Sequence, residues 1–164
     1  MRYLIKPFLC ILLALLCMAV IRGYSKYMKK RRLETREFLR LCEVIRKSIA
    51  TRLLTPKEAF ADVSCSEAAV ERFRLAVVSG ATLKDAFSGV IGLLSLSGNI
   101  RSQLSEYFAT FGQGYLDDEV RCADEFLERF RAELEREEAS GDTDERVARA
   151  IIIAITLGVI ILII

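Results

Sequence analysis

Two uncharged apolar runs bracket a densely charged middle, and no other feature narrows the fold as much. The first, "PFLCILLALLCMAVI", extends from Pro7 to Ile21. The second, "AIIIAITLGVIILII", extends from Ala150 to Ile164, and its only polar side chain is Thr156. The stretch between them, from about Arg22 to Arg149, reads as an ordinary charged domain, long enough to bury a core of its own.

The C-terminal run has 15 residues, roughly 22 Å of helix at about 1.5 Å per residue. A hydrocarbon layer is nearer 30 Å, and a run this short also fits a buried core helix. A core helix on a small domain keeps one polar face, however, and this run is apolar all round. Val147 and Ala148, with Arg149 snorkelling, lengthen it to 18 residues, which spans with local thinning of the bilayer. The first run gains Tyr3, Leu4 and Ile5 when Lys6 snorkels. A signal peptide is the alternative there. Ile21, Arg22 and Gly23 stand where a small-x-small cleavage site belongs, and Leu15 and Leu16 before Cys17 are bulky for lipoprotein processing. The expectation is therefore a transmembrane helix at residues 3–22, a soluble domain at 23–148 and a second transmembrane helix at 147–164.

The net charge of +2 conceals an asymmetry. Arg22, Lys26, Lys29, Lys30, Arg31 and Arg32 form a cluster with no acid among them, whereas Asp117 to Arg149 carries thirteen acids against six bases. Six bases directly after a span stay cytoplasmic under the positive-inside rule. The topology expected is a cell-membrane protein crossing twice, with both termini outside and the domain in the cytoplasm. The same cluster is a candidate nucleic-acid patch. Its place beside a span makes it a lipid-headgroup flank first, and Tyr24 and Tyr27 fit an interfacial belt as well as base stacking.

The chain has no histidine, which removes Ser–His and Cys–His catalysis and any His-ligated metal. Cys10, Cys17, Cys42, Cys65 and Cys122 are odd in number and contain no Cys-x-x-Cys pair, so neither zinc nor a disulfide framework is expected. Asp117, Asp118 and Glu119 suit the first turn of a helix, where acids complement its dipole. Gly112 and Gly114 lack the strand context of a phosphate loop. No enzyme activity, cofactor, metal or nucleic-acid partner is expected, and no partner-binding residue can be assigned.

The middle reads as all helix, without a period-two stretch of strand length. The first helix continues out of the membrane, with Leu33, Phe38, Leu41, Cys42, Ile45, Ile49 and Leu53 as its apolar stripe. Capping-box spacings stand at Thr55–Glu58, Ser64–Glu67 and Thr82–Asp85. Gly80 marks a helix stop. "TLKDAFSGVIGLLSL" reads as one central buried helix, and Asn99 as the cap of the next. Leu116, Val120, Ala123, Leu127, Phe130 and Leu134 make a heptad-like seam, laced by Glu125–Arg129, Glu128–Arg131 and Glu133–Arg136. "SGDT", Ser140 to Thr143, is either a hinge or a tolerated glycine in one helix. The fold class expected is an all-α bundle of about five to six helices flanked by one transmembrane helix at each end.

This arrangement resembles the stage III sporulation protein AB family, whose domain is similar to the cytoplasmic domains of type II secretion platform proteins. "TPKEAF" (Thr55 to Phe60) is similar to the family's Thr-Pro-x-x-Glu-Ala-type helix start. "DAF" (Asp85 to Phe87) and "FG" (Phe111, Gly112) stand where the family has an Ala-aromatic pair and a Phe-Gly pair. The chain departs from the pattern after Gly112: Tyr115, Leu116, Glu119 and Ala123 replace the family's Leu-Gly pair, acid and glutamine. The resemblance implies a non-catalytic, membrane-anchored scaffold in the complex linking mother cell and forespore. Its membrane would be the outer forespore membrane, with the domain on the mother-cell side. It implies a cytoplasmic ATPase and other membrane components as partners, and, by analogy with secretion platforms, a homo-oligomer. The alternative is a platform-like subunit of a secretion or pilus machine outside sporulation.

Overall fold

The computed structural model describes residues 2–52, 55–112 and 115–163. Six α-helices and one 3-10 turn make up the described residues: α1 (Arg2–Arg52), α2 (Pro56–Ala61), α3 (Ala68–Val78), α4 (Leu83–Val90), the 3-10 turn Ile91–Leu93, α5 (Gly98–Thr110) and α6 (Leu116–Ile163). The all-α expectation holds. Each terminal apolar run belongs to a helix that also enters the charged middle, as expected for the first, and among the described residues one helix, near the N-terminus, is long and apolar enough to cross a membrane.

The chain divides into two compact units. One comprises Lys30–Arg136; the other joins Met1–Lys29 with Glu137–Ile164. In the first unit, α3 packs on α2 and α4, and α4 on α5. Its core is aromatic. Phe38, Phe73, Phe87 and Phe108 all touch one another, with centroids 5.2–6.5 Å apart, and Phe60 packs against Phe73. Such edge-to-face and offset pairs add about 0.5–1.5 kcal/mol each beyond area burial.

α1 supplies Phe38, Leu41, Cys42 and Ile45 to that core, with Ile49 partly buried. Leu33 departs from the expected stripe and is exposed; Glu34 and Thr35 are buried in its place. Leu53 lies outside the described residues. Burial of Glu34 is made tolerable by Ser95, whose amide donates to Oε2 at 2.6 Å. Lys30 Nζ stands 3.5 Å from Oε1, a charge neighbour too distant to be a good hydrogen bond, and Oε1 has no other partner.

Two of the expected caps form. Thr55 and Glu58 close a capping box on α2, and Thr82 Oγ1 accepts from the Asp85 amide at 3.1 Å on α4. α3 ends in a Schellman arrangement: Ala81 and Gly80 amides bond the Ala76 and Val77 carbonyls, and Gly80 takes φ +107°. Two caps differ. α3 begins at Glu67 without a side-chain cap of its own, and Ser64 plays no part. Instead Glu37 of α1 accepts from the Ser66 amide, the Ser66 hydroxyl and the Glu67 amide. α5 is capped by Ser97, whose Oγ accepts from the Ile100 amide at 3.2 Å, because Ser97 has the extended backbone a cap needs. Asn99 is already inside the helix and donates to Glu133 at 3.0 Å. Replacing Glu37 by alanine leaves those α3 donors without their acceptor. The expected loss is about 1–3 kcal/mol by urea unfolding; a loss within a few tenths would show the contact to be idle.

The expected central helix stops at Val90 and tightens into the 3-10 turn, leaving Leu93 exposed while Leu94 and Leu96 are buried. Ala123, Leu127, Phe130 and Leu134 of α6 are buried as the seam requires, and Phe126 joins them. The side chain of Leu116 lies outside the description, and Gly114 is outside the described residues. The expected lacing pairs are redirected. Arg131 reaches Glu43 at 2.6 Å, Glu133 takes Asn99, and Arg129 Nε donates to the Glu125 carbonyl at 3.3 Å. Ser140 to Thr143 is helical and α6 is continuous. A single mid-helix glycine costs only about 1 kcal/mol, and Gly141 is buried rather than terminating the helix.

Candidate functional site

The charged surface of Lys30–Arg136 is organised around α1. Arg46 donates to both carboxylate oxygens of Asp124 at 2.7 and 2.8 Å, and Glu43 accepts from Arg131. These two bridges hold α1 antiparallel to α6 within this unit. The Arg46 bonds hold the Asp124 carboxyl below its ordinary value, and Arg74 does the same for Glu71. A depressed folded value means that the stabilisation is complete above the unfolded values, about 3.9 for Asp and 4.3 for Glu. It is lost as pH falls through the lower folded values. Stability should therefore fall on acidification below about pH 4.5, and Arg46→Ala should shrink that slope; an unchanged slope would count against the pair.

Between α5 and α6 lies a groove of about 240 Å³, lined by Gln103, Glu106, Tyr107, Cys122, Glu125 and Arg129 among others. Tyr107 stacks on Phe126 with centroids 4.1 Å apart. Its hydroxyl and Gln103 Oε1 are buried without a hydrogen-bond partner, and burial raises the Tyr107 phenol well above its ordinary value, keeping it protonated. Cys122 is exposed, Cys65 is half-buried and Cys42 fully buried. Burial pushes the Cys65 thiol up to about 11 and Cys42 higher still, whereas Cys122 is open to a reagent by its exposure.

The acidic triplet occupies the first turn of α6. Glu119 accepts from the Gly112 amide at 2.9 Å, Asp118 pairs with Arg121 at 3.2 Å, and Gly112 has φ +82°. These are capping and turn contacts. Among the described residues no group of three His, Cys, Asp or Glu side chains is placed to hold a metal ion.

The bases singled out in sequence all lie on α1, and the structure divides them. Arg22, Lys26 and Lys29 belong to the unit containing both apolar runs; Lys30, Arg31 and Arg32 belong to the other. The part of α1 from Ile11 to Thr51 is long and apolar enough to cross a membrane, and its most apolar window has no buried residue. Phe8, Leu12, Leu16 and Val20 of α1 are exposed, as are Ile151, Ile155, Leu157 and Ile161 of α6.

Arg149 Nη2 donates to Ser25 Oγ at 3.1 Å. Ser25 stands four residues after the last apolar residue of the first run, and Arg149 one residue before the second run. The two runs thus meet polar sequence within about one helical turn of the same level. Sequence alone could not supply this register, because it depends on pairing residues 124 apart.

No curated protein and no solved structure matches the chain significantly. The family model for stage III sporulation protein AB matches residues 6–164, nearly the whole chain. The runs, the helical domain between them and this match make the chain a member of the stage III sporulation protein AB family.

Proposed function

We propose that this sporulation protein is a non-catalytic scaffold fixed by both ends in one membrane, with its helical domain at residues 23–148 in the cytoplasm. The observation that carries the reading is the Arg149–Ser25 bond, which brings the ends of two exposed apolar runs to one level. Helices with apolar side chains facing outward on unburied surfaces are stable in hydrocarbon and costly in water. Arg22, Lys26, Lys29, Lys30, Arg31 and Arg32 are the flank that keeps the domain on the cytoplasmic side. In this reading the membrane spans are residues 3–22 and 147–164.

The domain's task is to dock a cytoplasmic ATPase, which supplies the chemistry. The α5–α6 groove, with exposed Cys122, Glu125 and Arg129 at its rim, is the surface we assign to that contact. A membrane-impermeant maleimide reports the topology. Cys122 should label only after cells are opened; labelling in intact cells would place the domain outside. Purified domain should retain the ATPase on a column. Failure to do so, together with normal sporulation in a deletion strain, would reject the scaffold role.

A further inference from the structure

A cleft of about 420 Å³ opens in the Lys30–Arg136 unit where the starts of α2 and α4 meet the end of α5. Pro56, Val77, Ala81, Leu83, Phe108 and Phe111 give it apolar walls. The two helix starts share one sequence pattern, "TPKEAF" at Thr55 to Phe60 and "TLKDAF" at Thr82 to Phe87. Each threonine caps its helix, and each acid accepts from that threonine's hydroxyl at 2.8 Å. Ala59, Phe60, Ala86 and Phe87 are buried. The lysine is the residue of the pattern left without an internal task. Lys57 and Lys84 are exposed, and among the described residues neither has an ion-pair partner. Both stand in a first turn, where the helix dipole disfavours a base. Lys57 lines the cleft, and a side chain placed against local preference beside a cleft marks a candidate contact.

The same unit carries a matching projection. Tyr115 is 86% exposed, more than any other large apolar side chain described. Two bonds fix its backbone near the cleft. The Glu119 amide donates to the Tyr115 carbonyl at 2.9 Å, and Glu119 Oε1 accepts at 2.9 Å from the amide of Gly112, a residue of the cleft wall. Asp117, two residues after Tyr115, is exposed and has no ion-pair partner among the described residues. One unit therefore presents an apolar hole beside an unpaired lysine, and an aromatic knob beside an unpaired aspartate.

We propose that the cleft receives Tyr115 from a second copy of this chain, with Asp117 of the second copy set against Lys57 at the rim. A two-fold arrangement satisfies both copies at once, because each offers a knob and a hole. The ring leaves water for apolar walls, which is how aromatic side chains anchor interfaces. Its hydroxyl keeps a partner within the cleft, since Thr55 and Thr82 line it and a threonine oxygen has two lone pairs. A foreign segment with an aromatic residue and an acid would fit by the same chemistry. The presence of both halves on one surface singles out the second copy. The contact uses neither the terminal apolar runs nor the α5–α6 groove, so it stands or falls apart from the membrane and ATPase readings.

The test places the photoreactive aromatic p-benzoylphenylalanine at position 115 of the full-length chain, in membranes of cells that co-express two copies with different tags. Irradiation should give a product of twice the chain mass that carries both tags, with the crosslink mapped to Val77–Leu83 or to Phe108–Gly112. Ala81→Trp, which fills the cleft, should lower the yield about tenfold. Lys57→Asp and Asp117→Lys should each lower it about tenfold by setting like charges opposite one another, and the two together should restore most of it. A folding defect cannot mimic that restoration. Glu106→Lys, in the α5–α6 groove, should leave the yield unchanged. Crosslinks formed only within single copies, or only to a different protein, would overturn the proposal. So would an Ala81→Trp yield equal to wild type, or a double reversal no better than either single one.

Discussion

Phe73→Ala should cost the helical unit about 3–5 kcal/mol, the range for removing a buried phenylalanine from a core that cannot collapse to fill the gap. Phe73 is fully buried. It touches Phe38 at 5.3 Å, Phe60 at 6.1 Å, Phe87 at 6.3 Å and Phe108 at 5.2 Å, and these rings come from α1, α2, α4 and α5. The cavity would open where four helices converge, so no single helix can move to close it. A domain of this size has about 5–15 kcal/mol in total, and the variant would be largely unfolded at the lower end of that range. Urea denaturation followed by circular dichroism measures the loss. Phe73→Leu retains most of the volume and should cost clearly less. A Phe73→Ala protein within about 1 kcal/mol of wild type would mean that the ring cluster does not organise the core.

The second large effect belongs to α6. Ile153 and Leu157 are both exposed, one helical turn apart on one face. Under the proposed two-span reading, lysine at both positions should cost roughly 5–7 kcal/mol for insertion, at about 2.5–3.5 kcal/mol per charge near a bilayer centre. A C-terminal epitope tag should then become accessible to protease from the cytoplasmic side, while α1 still retains the protein in the membrane fraction. If the run faced water instead, two lysines on exposed apolar positions would be benign. An unchanged protection pattern, or a wild-type tag already open to the cytoplasm, would remove the second span.

Local chemistry was readable directly from the chain; distant partners were not. Thr55 and Thr82 cap the helices that follow them because the acceptor and the donor are three residues apart. Ser64 had the same spacing and failed, because Glu37, some thirty residues earlier, takes the amides at the start of α3. Asn99 lost its role to Ser97, two residues upstream, by the backbone angle that Ser97 adopts. Leu33 looked like part of the α1 stripe, yet the neighbouring positions face inward, and Glu34 is admitted there by the Ser95 amide. Surface pairs at i,i+3 and i,i+4 were the least reliable expectation. They are worth only about 0.2–0.5 kcal/mol, so a partner on another helix, such as Glu43 for Arg131, can displace them. The basic residues of the candidate site were plain from their clustering. The part played by Arg149 was hidden until α6 was seen beside α1. The α5–α6 groove had one faint sign, a Gln103–Tyr107 pair at i,i+4 on a helix whose charged residues are Arg101 and Glu106.

The bridge from Arg46 to Asp124 closes a loop of 78 residues, and that from Glu43 to Arg131 one of 88. At about 5–20 residues per second, synthesis of that stretch takes roughly 4–16 s. During that interval the first helix has left the ribosome with Phe38 meeting its partners Phe73, Phe87 and Phe108 only as each is made, and without the α6 side of its core. The order of synthesis thus sets a waiting period, during which the apolar face of the oldest helix must be shielded by α2 to α5 or by a holding factor. Released chains truncated before Phe126 should accordingly aggregate or bind chaperone more than the full-length chain does.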